Sequence, residues 1–285
     1  MSHIYGSNHH FCDRFSSMKK LTILSTLIFS VMFSFTSFLA FNTPASAATK
    51  SLPASGKVEL MLGASGKMPT TIYVPEGTGE KPLILVIHSS GGLGIFDHNY
   101  AMALRKEGYI SVVPDFFTAY NIYERTLTWT KYQEDIHKDF ITIISQVKSL
   151  SKIPSKKVFA VGFSNGGYWA AALAARGEID AGVSYYGAYS EGGTVRGRSG
   201  IESASIISEA DSDSAPLLMF HGTDDSFVPF AVAKIFEDLY PNVEAHYYDD
   251  VEHIYEREGP LDSYDEEAAK DSWGKTLKFL KQHRK

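Results

Sequence analysis

The chain has almost no cysteine, no surplus of basic charge and no visible internal repeat. Its single cysteine, Cys12, lies ahead of the region that carries fold-forming patterns. Disulfides, thiolate metal sites and cysteine catalysis are therefore excluded from the mature protein, whose fold must rest on core packing. Twenty-seven Lys and Arg stand against 33 Asp and Glu, a formal charge of -6. Nucleic acid or an anionic membrane would want a concentrated basic face, so the expected partner is a small molecule. What the chain does have is length and apolar content: 285 residues, 44% hydrophobic, enough for one large core.

From Met18 the sequence runs Met-Lys-Lys, then an uncharged stretch from Leu21 to Phe41, then Pro44-Ala45-Ser46-Ala47-Ala48. Basic, apolar and small-residue segments in that order form a secretory signal, with cleavage expected after Ala47. Residues 1–47 thus read as leader and secretory signal peptide, 48–56 as a polar linker, and 57–285 as one domain. Export to the periplasm or beyond follows, without stable membrane association once the signal is removed. Left uncut, the same apolar stretch is long enough to span a bilayer.

Val58 to Leu62 and Thr70 to Val74 read as an antiparallel hairpin. Beyond it, short apolar runs alternate with helical patterns. The strands are Leu83 to Ile87, Ile110 to Val113, Val158 to Val161, Ala181 to Tyr185, Pro216 to Phe220 and Val243 to Tyr248. Helical spacing appears near Tyr100 to Lys106, from Ile136 to Val147, after Ser164, near Phe230 to Leu239, and from Ala269 to Leu280. Such alternation implies a mostly parallel, doubly wound sheet whose ligands bind beyond the carboxyl ends of its strands. Ser190 to Ser214, rich in Gly, Ser and acidic residues, reads as a surface loop.

The sharpest motif is Gly162-Phe-Ser164-Asn-Gly166, directly after the apolar run Val158 to Val161 and directly before an Ala-rich helix. A strand turning tightly into a helix, with serine at the apex and glycines two residues to either side, is a nucleophile elbow. A seryl hydroxyl is a weak nucleophile, so it needs an imidazole to take its proton and a carboxylate to orient that imidazole. Chain order should be Ser, then Asp or Glu, then His. Downstream histidines are His221, His246, His253 and His283. His221 ends a buried strand, His246 lies within one and His283 sits in a charged tail, which leaves His253 in the loop after the last strand. Asp224 and Asp225 both emerge after the strand ending at Phe220. One of them should reach His253; the segment His221-Gly222-x-x-Asp225-x-x-Val228-Pro229 is similar to the acid loop of the α/β-hydrolases, a resemblance that makes Asp225 the expected triad acid and leaves Asp224 to a turn or helix cap.

An acyl-transfer oxyanion needs two preorganised N–H donors. The Asn165 amide at the helix start supplies one. The loop His88-Ser-Ser-Gly-Gly92 supplies the other, with Ser90 preferred and Ser89 next, while His88 is expected to brace the loop. Phe116, Phe117, Tyr120, Tyr123 and Trp129 follow the strand ending at Val113. They fit an apolar acyl or alcohol pocket, with Phe116 and Tyr120 as substrate contacts, and fit local packing equally well.

Together these motifs resemble the dienelactone hydrolase family of the α/β-hydrolases from about Leu83 onward. Val112-Val-Pro-Asp-Phe116, Ser184-Tyr-Tyr-Gly187, the acid loop His221-Gly-Thr-Asp-Asp225 and the placement of His253 carry the likeness. The resemblance implies an α/β-hydrolase fold and cleavage of a small-molecule ester or lactone through an acyl-enzyme, with no metal and no organic cofactor. Family members proper carry cysteine at the elbow and glutamate in the oxyanion loop, where this chain has Ser164 and Ser89, so dienelactone itself is a doubtful substrate. Two other readings use the same residues: a peptidase or acyltransferase, and a non-enzymatic exported binding domain on this scaffold.

Overall fold

In the computed structural model, residues 51–123, 128–151, 157–189, 210–257 and 263–284 are described. All of them fall in the unit Ala47–Lys285. The signal segment and the 190–209 part of the expected surface loop lie outside the described residues.

The apolar runs become strands β1 (Gly56–Leu62), β2 (Met68–Val74), β3 (Leu83–Ile87), β4 (Ile110–Pro114), β5 (Val158–Phe163), β6 (Ala181–Tyr185), β7 (Leu217–Gly222) and β8 (Val243–Tyr248). They join one sheet in the order β1-β2-β4-β3-β5-β6-β7-β8. β1 pairs antiparallel with β2, and β2 antiparallel with β4; from β4 onward every pairing is parallel. Strands β3 to β7 are buried along their whole length, which is why their sequences are continuous apolar runs and not alternating ones.

Helices cover both faces. α1 (Ile95–Lys106) and α6 (Glu266–His283) pack on one face through Tyr100, Leu104, Phe279 and Leu280. On the other lie α2 (Phe116–Tyr120), α3 (Gln133–Leu150), α4 (Asn165–Ala175) and α5 (Phe230–Leu239), with Phe116, Phe140, Trp169 and Phe236 in one core cluster. Fully burying each such side chain contributes roughly 1.5–3 kcal/mol, so the two layers hold the sheet without any cross-link.

Two local features go beyond the sequence pattern. The residues after β4 form the short helix α2, whose N-cap Asp115 accepts from the Thr118 amide at 3.0 Å. The middle of the expected 48–56 linker is packed as well: Leu52 is buried, and its N–H donates to the Leu150 carbonyl at 2.9 Å.

Candidate active site

The elbow forms because its glycines admit backbone where a side chain cannot go. A Cβ on Gly162 would stand 1.9 Å from the Gly166 carbonyl oxygen, and one on Gly166 would stand 2.0 Å from that of Ile87. Ser164 between them takes φ 53°, a left-handed conformation that costs a non-glycine residue roughly 1–3 kcal/mol. The bend persists because both backbone ends are held. The Ser164 N–H donates to the Tyr185 carbonyl at 2.9 Å, and the Ser164 carbonyl accepts from Tyr168 at 3.1 Å and Ala188 at 3.2 Å.

Ser164, His253 and Asp225, drawn from the ends of β5, β8 and β7, meet in one line. Ser164 Oγ lies 3.0 Å from His253 Nε2, and His253 Nδ1 lies 2.6 Å from Asp225 Oδ2. All three residues are buried. With Nδ1–H donating to the carboxylate, Nε2 is left as the acceptor for the serine hydroxyl. Asp225 also organises its own turn, since Oδ1 accepts from the Phe227 and Val228 amides at 2.9 and 2.8 Å. Of the two roles expected of Asp224, it takes the turn after β7 and not the cap of α5: it is exposed, and the N-cap, Pro229, makes no side-chain bond.

The base and acid loops are tied together at two points. At Gly222, an added Cβ would stand 2.0 Å from the Val251 carbonyl oxygen, so this glycine lets the segment leading to His253 press against the end of β7. Glu252 then bridges the loops, accepting from the His253 amide at 2.9 Å and the Ser226 amide at 3.1 Å. Burial works against its charge, but those donors outweigh it and hold the carboxyl below its ordinary value. The His253 ring lies between Phe227, stacked at 5.2 Å, and Tyr186, edge-on at 4.4 Å. Neither Glu252 nor Tyr186 was singled out by sequence, because their contacts depend on loops meeting in space.

The other imidazoles are occupied elsewhere. His221 is fully enclosed, bonded through Nε2 to the Val228 carbonyl at 2.9 Å and 3.4 Å from Asp225 Oδ2. His88 is fully enclosed, bonded through Nδ1 to the Ser89 carbonyl at 2.8 Å and stacked on Phe116 at 4.1 Å. Burial pushes the pKa of both rings down. His246 pairs with Glu244 at 2.9 Å, away from the site.

Because Gly166 closes on Ile87 and His88, the loop after β3 abuts the elbow. The loop is folded on itself by two bonds, from the Gly91 amide to Ser89 Oγ at 3.2 Å and from the Gly92 amide to the Ser89 carbonyl at 3.1 Å. The Asn165 amide is at the first position of α4, where no intrahelical acceptor exists. A cavity of about 360 Å³ opens beside this loop, lined in part by Leu93, Phe117, Ile122 and Tyr123. Phe116 and Tyr120 are not among its walls. Phe116 has no exposed surface, and the Tyr120 hydroxyl donates to Asp139 Oδ2 at 2.8 Å. The structure therefore gives those two residues a packing role, and of the aromatics expected to form a pocket Phe117 and Tyr123 line this cavity. Among the described residues, no group of three or more His, Cys, Asp or Glu side chains could hold a metal ion.

A mostly parallel sheet with a serine elbow and a histidine and an aspartate beyond the following strands defines an α/β-hydrolase. The model of the dienelactone hydrolase family matches residues 68–284. A curated protein of Azospirillum brasilense, named "Putative carboxymethylenebutenolidase", is 29% identical over 242 residues, covering 79% of this chain and 98% of its own length. Esterase 2 of Thermogutta terrifontis superposes with a TM-score of 0.61 at 17% identity, over 81% of this chain and 92% of that one, and has also been solved phosphorylated by paraoxon. An α/β-hydrolase enzyme from a Medee basin deep-sea metagenome superposes at 0.63 with 16% identity, over 81% and 99% of the two chains. The chain belongs to the dienelactone hydrolase family, and its class is that of the carboxylic ester hydrolases.

Proposed function

We propose that the protein is a serine hydrolase that cleaves carboxylic esters or lactones through an acyl-enzyme, with Ser164, His253 and Asp225 as its triad. The observation that carries this reading is the unbroken line from Ser164 Oγ through His253 to Asp225, 3.0 and 2.6 Å in its two links. As Ser164 Oγ attacks the ester carbonyl, His253 Nε2 takes its proton, and Asp225 stays ionised to stabilise the imidazolium. The Asn165 and Ser90 amides hold the oxyanion. His253 then gives the proton to the leaving alkoxide and activates a water, which splits the acyl-serine and restores the hydroxyl. The curated relative's name points to a lactone and the Thermogutta neighbour's to an ester, which one tetrahedral path serves equally.

Wild type and Ser164→Ala on a panel of aryl and alkyl esters and lactones test the reading. Turnover should be confined to wild type, and equal turnover by both would reject the nucleophile. We also propose that the enzyme works outside the cytoplasm, on the strength of the basic, apolar and small-residue order from Met18 to Ala48. Recovered mature protein should begin at Ala48; protein that keeps residues 1–47 and stays in the cytoplasm would contradict this.

A further inference from the structure

One buried carboxylate near the site has no part in the triad. The Glu256 side chain retains 5% exposure, and its Oε2 has no hydrogen-bond partner among the described residues. Its Oε1 accepts from the Tyr186 hydroxyl at 2.5 Å and lies 3.4 Å from Arg257 Nε. Tyr186 is itself held in an unfavourable backbone state, φ 38°, with its N–H donating to the Phe220 carbonyl at 2.7 Å and no exposed surface. Its ring is the one that stands 4.4 Å from the His253 imidazole. A strained tyrosine and a buried acid with an oxygen unpartnered among the described residues both work against stability, and surroundings that maintain such features cluster at functional sites.

The chain path gives the pair its meaning. Tyr186 directly follows Tyr185, whose carbonyl holds the Ser164 amide, so Tyr186 is fixed to the nucleophile's bend. Glu256 rides on the same turn as His253, within residues 253–257. The Tyr186–Glu256 bond therefore links the turn that carries the base to the strand end that anchors the nucleophile, bridging 70 positions of sequence.

We propose that Tyr186 and Glu256 are a positioning pair for His253: the tyrosine ring supports the imidazole, and the glutamate both anchors that tyrosine and places a second negative charge beside the base. The proposal rests on the triad reading. When His253 takes the serine proton it becomes a cation, and a fixed anion nearby favours that form. The groups facing Glu256 are Tyr186 from the end of β6 and Arg257 and His253 from its own turn, with Asp97 of α1 acting on Tyr186 and Arg257. Burial raises the Glu256 pKa, while Arg257 and the Tyr186 hydroxyl oppose that rise. The support it gives His253 is lost as pH falls and the carboxyl takes a proton.

The test uses Glu256→Gln, which keeps an acceptor for Tyr186 but removes the charge, and Tyr186→Phe, which keeps the ring but removes the anchor. Rates are taken per site counted by fluorophosphonate titration, so only folded molecules enter. Glu256→Gln should move the acid limb of the kcat/KM profile to lower pH, because the imidazolium loses a favourable neighbour. Tyr186→Phe should lower kcat on the order of tenfold, with KM little changed, as a loosened base predicts. An acid limb that stays in place in Glu256→Gln, or a wild-type kcat in Tyr186→Phe, overturns the proposal. Should Glu256→Gln fail to fold, Glu256→Asp, which draws the charge back by one methylene, is read for the same shift. Ser164→Ala separates the two claims: activity there defeats the triad reading, whereas an inactive Ser164→Ala beside unaltered pair variants defeats only the pair.

Discussion

Two halves of the same sheet edge are built on different principles. At the ends of β5, β7 and β8 the inward side chains are polar and bonded to one another: Ser164 to His253, His253 to Asp225, Asp225 to its own turn amides. At the ends of β3 and β4 they are rings that pack, with His88 stacked on Phe116, Phe116 edge-on to Phe140, and Trp169 behind them. Both halves hold a buried imidazole, yet only His253 faces a hydroxyl. The lesson is that an imidazole's role is set by what its second nitrogen meets. Nδ1 of each ring has an oxygen partner, but Nε2 of His88 meets none among the described residues, while that of His253 meets Ser164.

That contrast breaks most completely at the serine. Ser164→Ala should reduce kcat on the order of a millionfold while leaving the melting temperature near wild type, measured by ester turnover and calorimetry. Asp225→Asn should cost about 10⁴ in kcat, since an amide there favours the wrong imidazole tautomer; a loss below tenfold would show that Asp225 is only a turn residue.

On the packing half the signs reverse. Phe116→Ala removes a side chain with no exposed surface and should cost about 3–5 kcal/mol of stability, lowering Tm by roughly 10 °C, with kcat/KM of the folded enzyme little altered. A large rise in KM with stability intact would restore Phe116 to the substrate pocket.

The smallest effect concerns His88 and pH. Burial depresses its pKa from the ordinary value of 6.5, so folded and unfolded chains hold equal protons above that pH and the folded form is at full strength. Below it the unfolded chain binds a proton that the folded chain resists, and stability falls. His221 acts in the same direction. His88→Gln should therefore flatten the decline of Tm between pH 7 and 5, and an unchanged slope would contradict a buried neutral ring.

Much of this was readable from the chain because it depends on local pattern. Continuous apolar runs marked β3 to β7, and the elbow's glycines marked a bend whose geometry admits little else at those positions. His253 was singled out by chain order and by elimination of the other downstream histidines, and Asp225 by the likeness of its segment to the acid loop of the α/β-hydrolases. What escaped depends on meetings between distant segments. α2 is five residues of mainly aromatic sequence with weak helix preference, formed because Asp115 caps it and the core takes Phe116 and Phe117. Tyr186 had appeared only as part of a strand-end motif. Glu256 carried no signal, since its bond to Tyr186 spans 70 positions. Asp225 bonds both the His253 ring and its own turn amides, a double use that no local pattern announces.

The most direct measurement is the intact mass of the protein after reaction with a fluorophosphonate, followed by peptide mapping. One adduct per chain is expected, on the Ser164 hydroxyl, absent from Ser164→Ala and slowed in His253→Ala. Equal labelling of wild type and Ser164→Ala, or an adduct on any other residue, would contradict the triad reading.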